Sequence, residues 1–216
     1  MATNQLALYN IALASVGERA LDSLVENRES RKQLDVIWNA GLGAINYFLE
    51  QGLWNHAMRE SSSTAGSTGG FNFYYIHNRP TDFVRLSAIS ENPNFSTPSV
   101  RYEFQATAIL SDATPIYLRY VSDSSTAGND LTLWPETFTR WAGHWLGTQI
   151  APFSITTKDR DLRIRELEKR ANRLLVDARS KDAQQEPTRF PPLGTWARAR
   201  FGRRGGDRGL RNNLTE

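Results

Sequence analysis

At 216 residues the chain is long enough for one ordinary domain, or for one domain with an inserted subdomain, and too short for a multidomain machine. Hydrophobic residues make up 39% of it, aromatics 11% and charged residues 23%, the profile of a globular chain with apolar material for a core. A mean hydropathy of −0.51, with no apolar run near about eighteen residues, argues against a membrane helix, and zero cysteines exclude disulfides, thiolate metal sites and cysteine nucleophiles. Met1-Ala2-Thr3-Asn4 lacks the basic start and apolar stretch of a secretory signal, so cytoplasmic synthesis is expected.

The net charge of +3 conceals an asymmetry. From Pro187 to Glu216 seven arginines face two carboxylates, a balance of +5, which leaves the preceding 186 residues at −2. The basic pI of about 9.3 therefore belongs to the tail. A basic tail on a mildly acidic body points to a docking arm more than to a nucleic-acid-binding face.

In chain order, Thr3 or Asn4 caps a first helix over 4–16, with Leu6, Tyr9, Leu13 and Val16 on one face and Gly17 as its stop. A second helix is predicted over 28–51 from Leu34, Trp38, Leu42, Ile45 and Leu49, with Gly41 and Gly43 inside it. Each interior glycine costs a helix about 1 kcal/mol relative to alanine, so a close neighbour or a bend is expected there. Between Glu60 and Asp130 the pattern changes to β-type runs at 71–76, 83–89, 100–106 and 115–121, bounded by turn-rich stretches. Ser-Ser-Thr-Ala-Gly occurs at 62–66 and again at 124–128, and reads as paired flexible connections around a small antiparallel module.

Helical spacing returns over 136–150, where Phe138, Trp141 and Trp145 on one stripe define the core helix, and Trp141 and Trp145 should be the best buried aromatics. Ala151-Pro152 is expected to break it. Thr156 or Thr157 then caps a long helix over 157–185, with Asp161–Arg165 and Glu166–Arg170 spaced for surface ion pairs. The reading is an α+β chain: a mainly α-helical bundle of about four helices (1–60 and 130–186), an inserted antiparallel β module (61–129), and an extended basic tail (187–216). The tail has too little apolar content to fold alone, and its anchors Phe190, Trp196, Arg198, Arg200, Phe201, Arg203 and Arg204 are the candidate docking residues.

No constellation for catalysis, metal binding or cofactor binding is found. Phosphate-loop, His-Glu-x-x-His and nucleophile-elbow patterns are absent, and Gly41-x-Gly43 lacks both a preceding strand and a third glycine. His56, His77 and His144 are far apart in sequence, and Asp159 and Asp161 are more simply solvent salt-bridge partners than an acid/base couple. The segment Gly202-Arg203-Arg204-Gly205-Gly206 has the Arg/Gly composition of disordered nucleic-acid binders, so a nucleic-acid-binding tail is the alternative reading.

The order of several short motifs, taken together, is specific. These are Leu8-Tyr9-Asn10-Ile11-Ala12-Leu13, Leu21-Asp22-Ser23-Leu24, Leu53-Trp54-Asn55-His56-Ala57, Arg79-Pro80-Thr81-Asp82-Phe83-Val84-Arg85-Leu86, Ile116-Tyr117-Leu118-Arg119-Tyr120-Val121-Ser122-Asp123, Trp134-Pro135-Glu136-Thr137-Phe138 and Ile150-Ala151-Pro152. Across about residues 4–200 the chain resembles the tail tubular protein A family, the head-to-tail adaptors (connectors) of short-tailed phages. The resemblance implies a structural virion protein without catalysis or cofactors. It implies a homo-oligomeric ring of twelve subunits that joins the portal protein to the tail nozzle protein, with a tail fibre or tailspike as a further candidate partner. It also implies that DNA passes through the lumen during ejection without specific binding. Trp196-Ala197-Arg198-Ala199-Arg200 is similar to the family segment that reaches the portal, whereas the Gly/Arg-rich stretch after Phe201 departs from the family's pattern. Because phosphate contacts accumulate affinity quickly, the tail is expected on an electronegative portal groove, with the acidic body lining the lumen.

Overall fold

The computed structural model describes residues 4–41, 43–68, 72–95, 100–155 and 159–185. The first helix, α1 (Gln5–Val16), has the two ends its sequence encodes. The Asn4 side chain accepts from the Ala7 N–H at 2.8 Å, and Gly17 adopts the left-handed conformation at φ +83°. Leu8, Tyr9, Ala12 and Leu13 are fully buried.

The single helix expected over 28–51 is two. α2 (Glu29–Trp38) and α3 (Ala44–Glu50) are separated by Gly41 at φ +60° and Gly43 at φ +90°, backbone that a side chain with a Cβ adopts only under strain. The glycines are the bend itself, and beyond it α3 buries Phe48 and Leu49.

Among the described residues seven strands follow: β1 (Met58–Ser63), β2 (Ser67–Thr68), β3 (Tyr75–Asn78), β4 (Phe83–Ser90), β5 (Tyr102–Phe104), β6 (Ala108–Ser111) and β7 (Ile116–Ser122). They form two antiparallel sheets, ordered β1-β7-β4 and β2-β3-β6-β5. Alternate side chains of β7 serve two cores. Ile116, Leu118 and Tyr120 pack with Ile89 and with Ile109 of the other sheet, while Val121 joins the helical core.

Both Ser-Ser-Thr-Ala-Gly copies are tied into this architecture and are not slack connections. Ser62 and Ser63 pair with Tyr117 and Ile116 in the ladder between β1 and β7. In the second copy the Ala127 and Asn129 N–H groups bond the Ser124 carbonyl at 3.0 and 3.1 Å, and a Cβ on Gly128 would lie 2.2 Å from the Ser122 carbonyl oxygen.

α4 (Glu136–Ser154) runs through Pro152 instead of breaking before it, because a proline in the final turn forfeits one backbone hydrogen bond where the helix is ending anyway. Trp141 is buried as expected, but Trp145 is half-buried, stacked on Tyr47 at 4.6 Å. The better buried indole is Trp54, in the loop after α3. α5 (Arg160–Ala183) packs on α4 through Ala171 and Ala178, and Thr156 and Thr157, the expected caps, lie outside the described residues. Among the described residues the α5 ion pair is Lys181–Asp177 at 3.2 Å. The pairs expected at Asp161–Arg165 and Glu166–Arg170 do not close, in keeping with the few tenths of a kcal/mol that such pairs contribute.

The expectation of a mainly helical bundle with one small sheet is therefore corrected: among the described residues five helices and two antiparallel sheets make an α+β fold. No described helix is long and apolar enough to cross a membrane. The chain divides after Ala183, and the described residues before that point form one unit.

α1 and α4 share the most extensive contact between elements, and two glycines permit it. A Cβ on Gly143 would come within 2.5 Å of Ile11, and one on Gly147 within 1.9 Å of Ser15 Oγ and 3.1 Å of the Ala12 carbonyl. Gly147→Ala is expected to destabilise the protein by about 1–3 kcal/mol despite alanine's higher helix propensity, because the helices must part. Denaturant melts check this; a stabilised variant would show that α1 yields without loss.

Candidate functional site

The sequence-predicted docking residues Phe190, Trp196, Arg198, Arg200, Phe201, Arg203 and Arg204 all lie outside the described residues. The root of that segment is described, and it is clamped. Both carboxylate oxygens of Asp182 accept the Asn55 N–H at 3.2 Å, the Asn55 side chain donates back to the Asp182 carbonyl at 2.8 Å, and Arg179 donates to the Gln51 carbonyl. A carboxylate in the last turn opposes the helix dipole, so these bonds are what retain Asp182, 91% removed from solvent, at that position. Nothing in the spacing of Asn55 and Asp182 announces the contact.

The motifs that carry the family likeness meet one another in space. Asn10 brackets Leu21 in both directions, its amide donating to the Leu21 carbonyl at 3.1 Å while its oxygen accepts the Leu21 N–H at 2.7 Å. Trp54, His56, Trp134 and Trp141 surround Phe138 with ring centroids 4.6–5.4 Å away for Trp54, His56, Trp134 and Trp141 alike. Asp82, just before β4, accepts from Tyr120 Oη at 3.0 Å, Ser122 Oγ at 2.6 Å and Arg59 at 3.1 Å. Burial alone would raise its carboxyl, but the hydroxyls of Ser122 and Tyr120 and the Arg59 charge outweigh burial and hold it below the usual range. In turn burial, then the Asp82 carboxylate, pushes Tyr120 up to about 12.

Groups with catalytic potential fall into structural roles. His77 and Ser111, both fully buried, sit 3.2 Å apart on facing strands, a Ser–His pairing that their spacing gave no hint of. Yet His77 Nε2 also lies 3.0 Å from the Ala113 carbonyl, so it carries the proton and cannot take one from serine, while Ser111 Oγ donates to that same carbonyl at 2.7 Å. Nδ1 has no hydrogen-bond partner and thus no orienting carboxylate among the described residues. The pair closes the turn between β6 and β7. A shallow cleft of about 410 Å³ beside it is lined by Tyr75, Glu91, Asp112, Ala113, Thr114 and Pro115, and no described group of His, Asp and Glu has metal-site geometry.

His56 and His144 are both held toward the neutral form. Burial, then Arg170 and Arg140, lowers His144. Burial pushes His56 down to about 4, and both its ring nitrogens are buried without a hydrogen-bond partner among the described residues. The unfolded imidazole takes up a proton near 6.5 that the folded one refuses until about 4, so stability is full above the upper value and falls as pH drops through this window. The loss is about 3 kcal/mol by pH 4. Denaturant melts should show a correspondingly flatter pH dependence for His56→Leu than for the parent; parallel profiles would refute the assignment.

Compared with known proteins, the chain matches no protein-family model and no curated protein.

Proposed function

We propose that the chain is a structural virion subunit, a head-to-tail adaptor that assembles as a ring between portal and tail nozzle around the DNA channel of a short-tailed phage. The observation that carries this reading is the ordered set of motifs. Its support from the fold is that the motif residues are joints: Asn10 to Leu21, Asp82 to Tyr120 and Ser122, and Trp54 and His56 to Phe138. Motifs that hold a scaffold suit a protein whose work is to present surfaces. In this reading the protein has no catalysis or cofactor, is made in the host cytoplasm and resides at the head-to-tail interface of the virion.

The basic tail docks on an acidic portal groove, with Phe190, Trp196 and Phe201 in apolar pockets and Arg198, Arg200, Arg203 and Arg204 on carboxylates or carbonyls. The clamp of Asp182 on Asn55 gives such an arm a firm root. Ending the chain at Glu186 is expected to leave the melting transition intact and to abolish attachment to portal-bearing heads. Attachment by the truncated protein would overturn tail docking. Salt-dependent affinity for duplex DNA that disappears with the tail, with attachment unchanged, would favour the nucleic-acid alternative.

A further inference from the structure

The cations of α5 differ from those elsewhere in the described chain. Outside residues 163–173, every described arginine has a carboxylate, carbonyl or ring partner: Arg19, Arg28, Arg31, Arg59, Arg101, Arg119 and Arg140 pair with acids, Arg85, Arg160 and Arg179 with carbonyls, and Arg79 lies over Phe83. Within that stretch Arg163, Arg165, Lys169, Arg170 and Arg173 are exposed and make no ion pair or side-chain hydrogen bond among the described residues. At about 3.6 residues per turn Arg165, Lys169 and Arg173 stand on the side opposite the buried Ala171 and Ala178, about 6 Å apart along the axis, and Arg163 and Arg170 share one flank. The carboxylates of the helix leave this surface uncovered. Asp177 is held by Lys181 and Asp182 by Asn55, Asp161 and Glu168 turn toward the other flank, and Glu166 is the one carboxylate in the stripe.

The sign of the chain reverses at this helix. Up to Ile155 ten cations stand against fourteen carboxylates, whereas α5 has eight against five. Five unpaired cations beside one carboxylate suit a polyanion, because a single small anion cannot reach groups spread over about 15 Å of helix. Duplex nucleic acid offers on each strand one phosphate per about 3.4 Å of axis, dense enough to meet every cation of the stripe. A single strand is the poorer fit, since α5 has no aromatic side chain on which bases could stack, and so is a membrane surface, since the apolar face of α5 is packed against the helical core. Leu162 and Val176 are exposed singly, about four turns apart, and make no apolar patch for a protein partner to cover.

We propose that the outer face of α5 is a sequence-independent contact for the phosphate backbone of duplex DNA, with Arg163, Arg165, Lys169, Arg170 and Arg173 meeting phosphates. The contact belongs to the folded body and is separate from the Arg/Gly tail; α5 is the place where an otherwise acidic body holds DNA. The inference goes beyond the adaptor reading, which does not require the subunit itself to bind the duplex. Contacts of this kind release counterions, accept any base sequence and let a protein slide along the duplex, so they are compatible with DNA in passage.

The test measures the affinity of full-length proteins for fluorescent duplexes of two unrelated sequences across about 50–200 mM salt. The parent is compared with Arg165→Gln/Lys169→Gln/Arg173→Gln and with Arg19→Gln/Lys32→Gln/Arg79→Gln, which removes the same charge from exposed positions elsewhere. Both variants change exposed side chains, so their melting should be close to the parent's. The parent is expected to bind both sequences alike. The α5 variant is expected to bind at least about 100-fold more weakly, with a plot of log affinity against log salt shallower by about 3 units, and the control to stay within a few-fold of the parent. A parent that does not bind duplex, an α5 variant that binds like the parent, or equal losses in the two variants would overturn the proposal. Attachment to portal-bearing heads is scored in parallel. Its loss in the α5 variant with duplex affinity unchanged assigns the stripe to a protein surface instead, whereas a parent that binds duplex through α5 but does not attach leaves this contact standing and overturns the adaptor reading.

Discussion

Phe138 is the ring on which the fold converges. It touches Trp54 at 4.7 Å, Trp134 at 4.6 Å, Trp141 at 5.4 Å and Phe48 at 6.5 Å, so the loop after α3, the approach to α4, α4 itself and α3 are all referenced to one side chain. Indoles enter such a core only if their N–H groups find acceptors. Trp54 donates to the Phe48 carbonyl at 3.0 Å and Trp134 to the Gly128 carbonyl at 2.9 Å. The second bond fixes the turn leaving β7, and that turn tolerates no Cβ at Gly128 because Ser122 and Leu49 occupy the space. One aromatic cluster thus dictates a glycine, a turn and the exit of a strand.

From that cluster order passes to the sheets through β7, whose Val121 belongs to the helical core and whose Ile116, Leu118 and Tyr120 belong to the core between the sheets. Phe83 stacks on Tyr120 at 5.4 Å and contacts Phe104 of the other sheet at 5.6 Å, which continues the line of rings to β5. Asp82 sits beside this line and accepts from three side-chain donors at once, which makes a half-buried charge tolerable there. His56 is the counterexample, a polar ring packed among aromatics with neither nitrogen satisfied among the described residues.

Local physics explains which parts of this were legible. α1 carries its start and stop in Asn4 and Gly17, and the apolar alternation of β4 and β7 announces strands directly. β1 was invisible because Met58-Arg59-Glu60-Ser61-Ser62-Ser63 has no apolar face, and it exists only because β7 offers it a ladder. Gly41 and Gly43 advertised a bend or a close neighbour, and only the tertiary structure decided for a left-handed break. Trp145 matched Trp141 in pattern, yet burial depends on where a helix's stripe ends, and Tyr47 caps the indole at that margin. Of the candidate site, composition disclosed the basic tail, whereas the clamp of Asp182 on Asn55 and the pairing of Ser111 with His77 join residues too far apart for any spacing rule.

The contact between α1 and α4 bears on how the protein is made. Residues 5–16 leave the ribosome well before their partner, which begins at Glu136, about 120 residues later. At roughly 5–20 residues per second the nascent helix waits on the order of 6–25 s for a surface to cover Leu8, Tyr9, Ala12 and Leu13. A twelve-residue helix is marginal on its own in water, so through that interval the segment is an unfolded apolar stretch open to chaperones and to neighbouring nascent chains. Closure of the α1–α4 contact is therefore a late step that waits on the synthesis of α4, about 120 residues after α1.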